Sequence, residues 1–337
     1  MRISMQLKGG PRLLITDREG ALYLEHARIH VEGRRIVYHI SDDEYRREYN
    51  IPHVNLAVLF MGQGTSITQE AMRLLGEEGV YLAVTGTGGS PLHMGALTTY
   101  TATRHFREIL PIYLDEKLSL LAAKAVMRDR AERMRKIGVA LAGRHLALRD
   151  PTPLSKVCKN FEDRIETVSN IQELLGVEGT FSKNCYKFFA VTSGLEKAEA
   201  FRRQAGTRVS ADALLKNPAQ LINRLIDHGN YLAYGMAGSA LWALGIPPHM
   251  SVFHGKTRAG GLVFDLADSF KDALVLPLAF AAARNRQDEE PEKVFRSRLI
   301  ASFDDRKILA GAIGTVERML ASTLSPPEVA AGEGSRI

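Results

Sequence analysis

The chain has 337 residues, 45% of them apolar and 24% charged, with a net charge of +6. That is enough chain for two domains and a core that needs no staples, and the basic balance leans toward a polyanionic partner. Two cysteines, Cys158 and Cys185, exclude a disulfide framework or a zinc site built on cysteine alone and fit a reducing compartment. The opening MRISMQLKGGPRLL lacks the apolar run of a secretory signal. The longest apolar run, ALVLPLAFAAA at 273–283, falls short of the ~20 residues that span a bilayer and reads as a buried helix. A cytoplasmic location with no membrane partner is the expectation.

The first ninety residues read as strands. ALYLEHARIHVEG alternates, with Leu22, Leu24, His26, Arg28 and His30 on one face and Tyr23, Glu25, Ala27, Ile29 and Val31 on the other. A turn at Glu32-Gly33 leads into RRIVYHI, a hairpin partner, and residues 52–60 supply a third, apolar strand. In MGQGTSITQEAMRLLGEEG, Ser66 followed by Gln69 is a capping-box pattern, and Ala71, Met72, Leu74 and Leu75 give a helix its apolar face. YLAVT at 81–85 is another strand, ended by GTGGS.

From about His105 long amphipathic segments take over, at 113–136, 160–175, 179–190, 220–243, 265–284 and 296–320, most of them punctuated by Gly or Pro. The reading is an α+β chain: a small β-rich domain with one clear helix over 1–90, a polar linker over 91–104, an all-α domain over 105–321 and a disordered tail over 322–337. The two Gly-rich loops, GQGTSIT and GTGGS, lack the Lys-Ser/Thr of a P-loop and any G-x-G-x-x-G, so nucleotide-triphosphate chemistry is excluded.

The densest chemistry lies in VFHGKTRAGGLVFDLADSF, residues 252–270. Asp265 and Asp268 stand three apart, on one face of a helix whose first turn favours anions. That placement by itself explains such a pair without any function. His254 precedes a loop bearing Lys256 and Arg258, which can be a solvated loop or can receive phosphates. Upstream, Glu178 sits between Gly176 and Gly179 at the start of a helix carrying Phe181, Cys185, Phe188 and Phe189. Two carboxylates and an imidazole, Glu178, His254 and Asp268, suit Mg²⁺ or Mn²⁺ and the phosphodiester chemistry such an ion supports. Spacing does not show that they meet. Lys183, Arg202, Arg203, Lys256 and Arg258 are candidates to hold a DNA backbone.

Four stretches, LLGVEGTFSKNCYKFF, INRLIDHGNYLAYGMAGSALWALGIPP, SVFHGKTRAGGLVFDLAD and GQGTSITQEAM, resemble the CRISPR-associated integrase family, CRISPR-associated protein one. The resemblance runs from about Leu22 to Leu320. It implies a β-rich N-terminal domain, a catalytic helical domain, metal ligands at Glu178, His254 and Asp268, an auxiliary acid at Asp265 and a supporting Asn223 facing the site and the DNA. It further implies a homodimer built through the β-rich domain, joined to CRISPR-associated protein two. The KTRAGG loop is most similar to type I-F (Yersinia-type) members, in which protein two is fused to the helicase-nuclease protein three. The implied reaction joins the 3′-hydroxyl of a short foreign DNA fragment to the edge of a CRISPR repeat. A metal-dependent repair endonuclease acting on branched DNA and a non-catalytic DNA-binding scaffold are the alternatives.

Overall fold

The computed structural model describes residues 18, 20–40, 47–85, 91–95 (backbone), 103–195, 201–204, 206, 217–255, 260–286 and 290–323. The alternating stretch read as one strand is two. β1 (Gly20–Leu24) ends at Glu25-His26, where His26 takes a positive φ of 51°, and β2 (Ala27–Glu32) leaves in another sheet. β2 pairs antiparallel with β3 (Arg35–Ile40) through a two-residue turn, Gly33-Arg34, both with positive φ, so the expected hairpin is present. β4 (Tyr49–Asn50) extends β3, and β6 (Ser66–Ile67) runs parallel beside β2.

The other sheet has the order β1-β5-β7-β8, with β5 (Leu56–Met61) parallel to both β1 and β7 (Tyr81–Thr85). All six residues of β5 are buried, as expected of a parallel strand covered on both faces, which explains its unbroken apolar sequence. β8 (Pro91–Gly95) pairs antiparallel with β7, so the span read as linker contains a strand; GTGGS lies outside the described residues. Helix α1 (Gln69–Glu77) is capped by Thr68, whose Oγ1 accepts from the Ala71 N–H at 3.3 Å. Ser66, the cap expected from sequence, is taken up by β6 instead.

The helical part runs α2 (Arg104–Leu114), α3 (Glu116–Arg133), a π-helical turn at Met134–Gly138, α4 (Val139–Leu146), α5 (Thr152–Thr167), α6 (Ile171–Thr192), α7 (Pro218–Ala243), α8 (Gly261–Asp268), α9 (Lys271–Arg284), α10 (Pro291–Asp305) and α11 (Ile308–Ala321). Several of the expected long helices are broken, among them the 160–175 segment, which divides at residues 168–170 between α5 and α6. The 265–284 segment divides at Ser269-Phe270 and the 296–320 segment at Arg306-Lys307, where Lys307 has φ 50°. The apolar run 273–283 is, as expected, a wholly buried helix, α9, with Pro277 inside it. No helix among the described residues is long and apolar enough to cross a membrane. Cys158 and Cys185 are both buried free thiols. Residues 324–337, most of the expected tail, lie outside the described residues.

The β1-β5-β7-β8 sheet is the middle layer. On one side Leu59, Met61 and Leu82 pack with Ile29, Ile36, Ala71 and Leu75 from the second sheet and α1. On the other, Val58, Phe60, Tyr81 and Ala83 join the large helical core. α7 lies directly against this face. A Cβ at Gly235 would sit 2.3 Å from the Phe60 ring, so only glycine permits the approach. Arg296 of α10 adds a polar tie, donating to Glu25 at 3.2 Å while stacking 4.3 Å from the centre of the Tyr23 ring.

Candidate active site

The segment after α7 has no regular structure of its own and is held by one carboxylate. Asp265, completely buried on α8, accepts five hydrogen bonds. Its Oδ2 takes the Ser251 hydroxyl at 2.8 Å and the backbone N–H groups of Val252 at 2.8 Å and Phe253 at 3.1 Å. Its Oδ1 takes the His254 backbone N–H at 3.0 Å and faces His254 Nδ1 at 2.8 Å. A carboxylate so used has nothing left to offer substrate or metal. The expected auxiliary acid acts here as a positioning residue: it holds the imidazole at Nδ1 and leaves Nε2 turned toward Asp268.

His254 Nε2 lies 3.5 Å from Asp268 Oδ2. The two acids were expected in the first turn of a helix, but α8 begins earlier, at Gly261, with Gly260 in the left-handed region (φ 68°) before it. Asp268 is therefore the last residue of α8, where the helix dipole opposes its charge. Two cations answer that. Lys271 forms an ion pair with Asp268 Oδ1, and Arg133 caps the end of α8 by donating to the Ser269 carbonyl (3.2 Å) and hydroxyl (2.6 Å). Burial works against the Lys271 charge, but Asp268, Tyr234 and Asp272 together outweigh it and hold the ammonium above its usual range.

Glu178 is not at a helix start. It lies in the second turn of the 22-residue α6, and a Cβ at Gly176 or Gly179 would meet no other part of the described chain. Its Oε1 accepts from Arg130 at 2.6 Å and from the Ser182 hydroxyl at 2.8 Å. Arg130, almost wholly buried in α3, also donates to Asp272 at the start of α9 and to Ser182 Oγ at 2.7 Å. Burial pushes the Glu178 carboxyl up, but the Arg130 guanidinium, with help from Ser182, brings it below the ordinary value. Desolvation likewise opposes the Arg130 charge and is outweighed by Asp272, Glu178 and Asp268.

The structure thus brings His254, Asp265 and Asp268 into direct contact and sets Glu178 beside them through Arg130. The donor atoms of Glu178, His254 and Asp268 do not converge within 4.8 Å of one another. The donor chemistry nonetheless fits a divalent cation. One imidazole lone pair is locked in direction, and the buried Asp268 Oδ1 receives no well-formed hydrogen bond beyond its ion pair with Lys271. Carboxylate and imidazole donors of this kind suit Mg²⁺ or Mn²⁺.

Arg130, Lys271, Asp272 and Ser182 were missed in the sequence. The one signal was Arg130 at an apolar helix position, between the buried Met127 and Ala131, but RDRAERMRK reads as a solvated charged face. Of the expected backbone-binding residues, Lys183 and Arg202 are exposed. Arg203 instead pairs with Asp227, and Asn223 is buried, accepting from Gln204 N–H at 2.7 Å and donating to the Arg202 carbonyl at 3.1 Å. Asn223 therefore fastens residues 202–204 to α7. Lys256 and Arg258 lie outside the described residues. A cavity of about 460 Å³ opens beside Ser251, Val252, Phe253 and Gly255, against Ser119 and Asn170. A larger one of about 650 Å³, lined by Phe201, Ile222 and Phe280, includes none of these site residues.

A two-sheet β region leading into a helical body that carries a paired imidazole–carboxylate centre defines the class. Within it, the chain belongs to the CRISPR associated protein Cas1 family, whose model matches residues 21–301. The CRISPR-associated endonuclease Cas1 of Pseudomonas aeruginosa (strain UCBPP-PA14) is 35% identical over 319 residues, covering 90% of this chain and 94% of that one. Among solved structures, TtCas1 in complex with DNA superposes with a TM-score of 0.63 at 24% identity, covering 92% of this chain and 94% of that one. A casposase bound to integration product gives 0.67 at 15% identity, covering 90% and 91%.

Proposed function

We propose that the chain is a metal-dependent DNA integrase and endonuclease of CRISPR adaptation. The observation that carries the reading is His254: its Nδ1 is tied to the buried Asp265, and its Nε2 faces Asp268. A family relative named an endonuclease and a neighbour holding an integration product support it.

His254 and Asp268, with Glu178 completing the set, would hold Mg²⁺ or Mn²⁺, which the donor types do not distinguish. Such an ion neutralises a non-bridging phosphate oxygen and polarises the attacking hydroxyl. The protein's own part is orientation and charge. Asp265 keeps the imidazole aimed toward Asp268, Arg130 keeps Glu178 ionised, and the buried pairs remove the need to rearrange charge when DNA arrives. In the integrase reaction a DNA 3′-hydroxyl attacks a phosphodiester at a repeat edge: a new P–O bond forms as the old one breaks, with no covalent enzyme intermediate. With water as nucleophile the same site is an endonuclease. The helical part (105–321) is the catalytic unit and the β-rich part the seat of homodimerisation, with CRISPR-associated protein two as partner, fused to protein three if the type I-F reading holds, in the cytoplasm.

A strand-transfer assay tests this: a fragment with 3′-hydroxyl ends, a plasmid carrying a repeat, the partner protein, and Mn²⁺ or EDTA. Metal-dependent joined product, absent with Asp268→Ala while DNA binding persists through its Lys and Arg contacts, is the expected outcome. Cutting without joining leaves the endonuclease reading; binding with neither returns the chain to a scaffold.

A further inference from the structure

A second group of metal-type donors lies far from α8 in sequence, on the β2–β3–β4 sheet. The β3–β4 register pairs Tyr38 with Tyr49, so the next pair outward is His39 with Glu48. The hairpin register pairs His30 with Val37 and Arg28 with His39, which puts His30, His39 and Glu48 on one face. The opposite face carries Ile29 and Ile36 into the apolar core, so the donors point outward. One donor atom from each of the three lies within 4.8 Å of the other two. The His30 Nε2 to Glu48 Oε1 distance is 3.4 Å. That is close to the edge of a tetrahedron with ligand bonds of about 2.0–2.2 Å, which is about 3.3–3.6 Å.

Two further observations favour a cation here. Glu32, on the same face of β2, comes within hydrogen-bonding reach of Glu48, so two carboxylates crowd one another beside the imidazoles. The His30 ring makes no hydrogen bond at its buried Nδ1, and Nε2 is the nitrogen that it turns toward Glu48. The side chains are also held in place rather than loose: the Tyr38 and Tyr49 rings stack at 5.3 Å, and the His30 and His39 rings meet edge-on at 5.6 Å.

We propose that His30, His39 and Glu48 form a second divalent-metal site of the zinc class, with Glu32 at its margin, separate from the site on α8. Two imidazoles and one carboxylate are a zinc-type donor set, softer than the oxygen-rich sets that take Mg²⁺. β4 has only two residues, and the ion fastens this short strand to the β2–β3 hairpin. Its binding free energy adds directly to the stability of that sheet.

The test uses the full chain in an Asp268→Ala background, stripped with chelator and titrated with Zn²⁺, with Co²⁺ as the spectroscopic probe. Expected are one bound Zn²⁺ per chain, a rise in Tm on Zn²⁺ addition and the visible bands of tetrahedral Co²⁺. Adding His39→Gln weakens Zn²⁺ by more than about 100-fold, since even a lost partner of a metal ligand costs about 10–100-fold. Adding Glu48→Gln in its place gives an independent reading if His39→Gln does not fold. Absence of Zn²⁺ binding in the Asp268→Ala protein overturns the proposal, as does unchanged affinity in a folded His39→Gln or Glu48→Gln variant.

Discussion

The two halves of the molecule bury polarity in opposite ways. In the β region the core is Ile29, Ile36, Leu59, Leu75 and their neighbours, with polarity met mainly by backbone ladders and Arg18 the one buried charge among its described residues. In the helical region Arg130, Asp265, Asp268 and Asp272 are all buried, along with Lys124, Asp129 and Asn223. Buried charges are seldom a good source of stability, because desolvation offsets most of their attraction. Their concentration in α3, α8 and the start of α9 is what a preorganised site requires and what a sheet core has no use for. The contrast teaches that the β region is built for stability and the helical centre for chemistry.

That contrast can be broken at several points. The largest effect belongs to Asp268→Ala, which should lower strand transfer and cleavage by at least about 10³-fold while leaving DNA affinity within a few-fold; rates and gel-shift titrations measured on one preparation decide it. Next, Arg130→Met leaves Glu178 and Asp272 without their shared cation and should cost about 3–5 kcal/mol in urea unfolding. A loss under 1 kcal/mol would mean that the network is not the keystone described. Asp265→Asn should raise the Mn²⁺ concentration for half-maximal rate by about 10–100-fold, because it unlocks His254. Were the residue merely structural, melting temperature would fall with that concentration unchanged.

On the stability side, Gly235→Ala forces a methyl against Phe60 and should cost about 1–3 kcal/mol, with the remaining folded protein fully active. The smallest effect concerns acid. Glu178 is held below its ordinary value of 4.5, so the folded chain gives up this proton more readily than the unfolded chain does. The stability it contributes is present above about pH 4.5 and is lost as pH falls through the lower folded value. Glu178→Gln should therefore flatten the decline in stability between about pH 5 and pH 3, as followed by unfolding at fixed urea.

Much of this was readable in the chain. Hydrophobic period located the β2–β3 hairpin, the buried β5 and α9, and the helical texture beyond His105, since burial on one face or all faces leaves its mark residue by residue. Motif resemblance named Glu178, His254, Asp265 and Asp268. Local pattern was less able to place breaks. His26 at positive φ divides a stretch read as one strand, held by its N–H to the Gln63 carbonyl, and Ser269-Phe270 interrupts a run with good helical composition, held by Arg133; both partners are distant in sequence.

By itself, then, the sequence determined where apolar faces fall and which residue types are available for chemistry, because both are properties of local order along the chain. Only the tertiary structure decided what each charge does. Asp265 and Asp268 are identical residues three apart, yet one is consumed by five hydrogen bonds and the other is aimed at an imidazole. Arg130 is a cation in a charged run, yet it ends in the core between carboxylates 48 and 142 positions away. The reason is physical: the role of a charge is set by its partners and its desolvation, and both come from elements that meet only when the chain is folded.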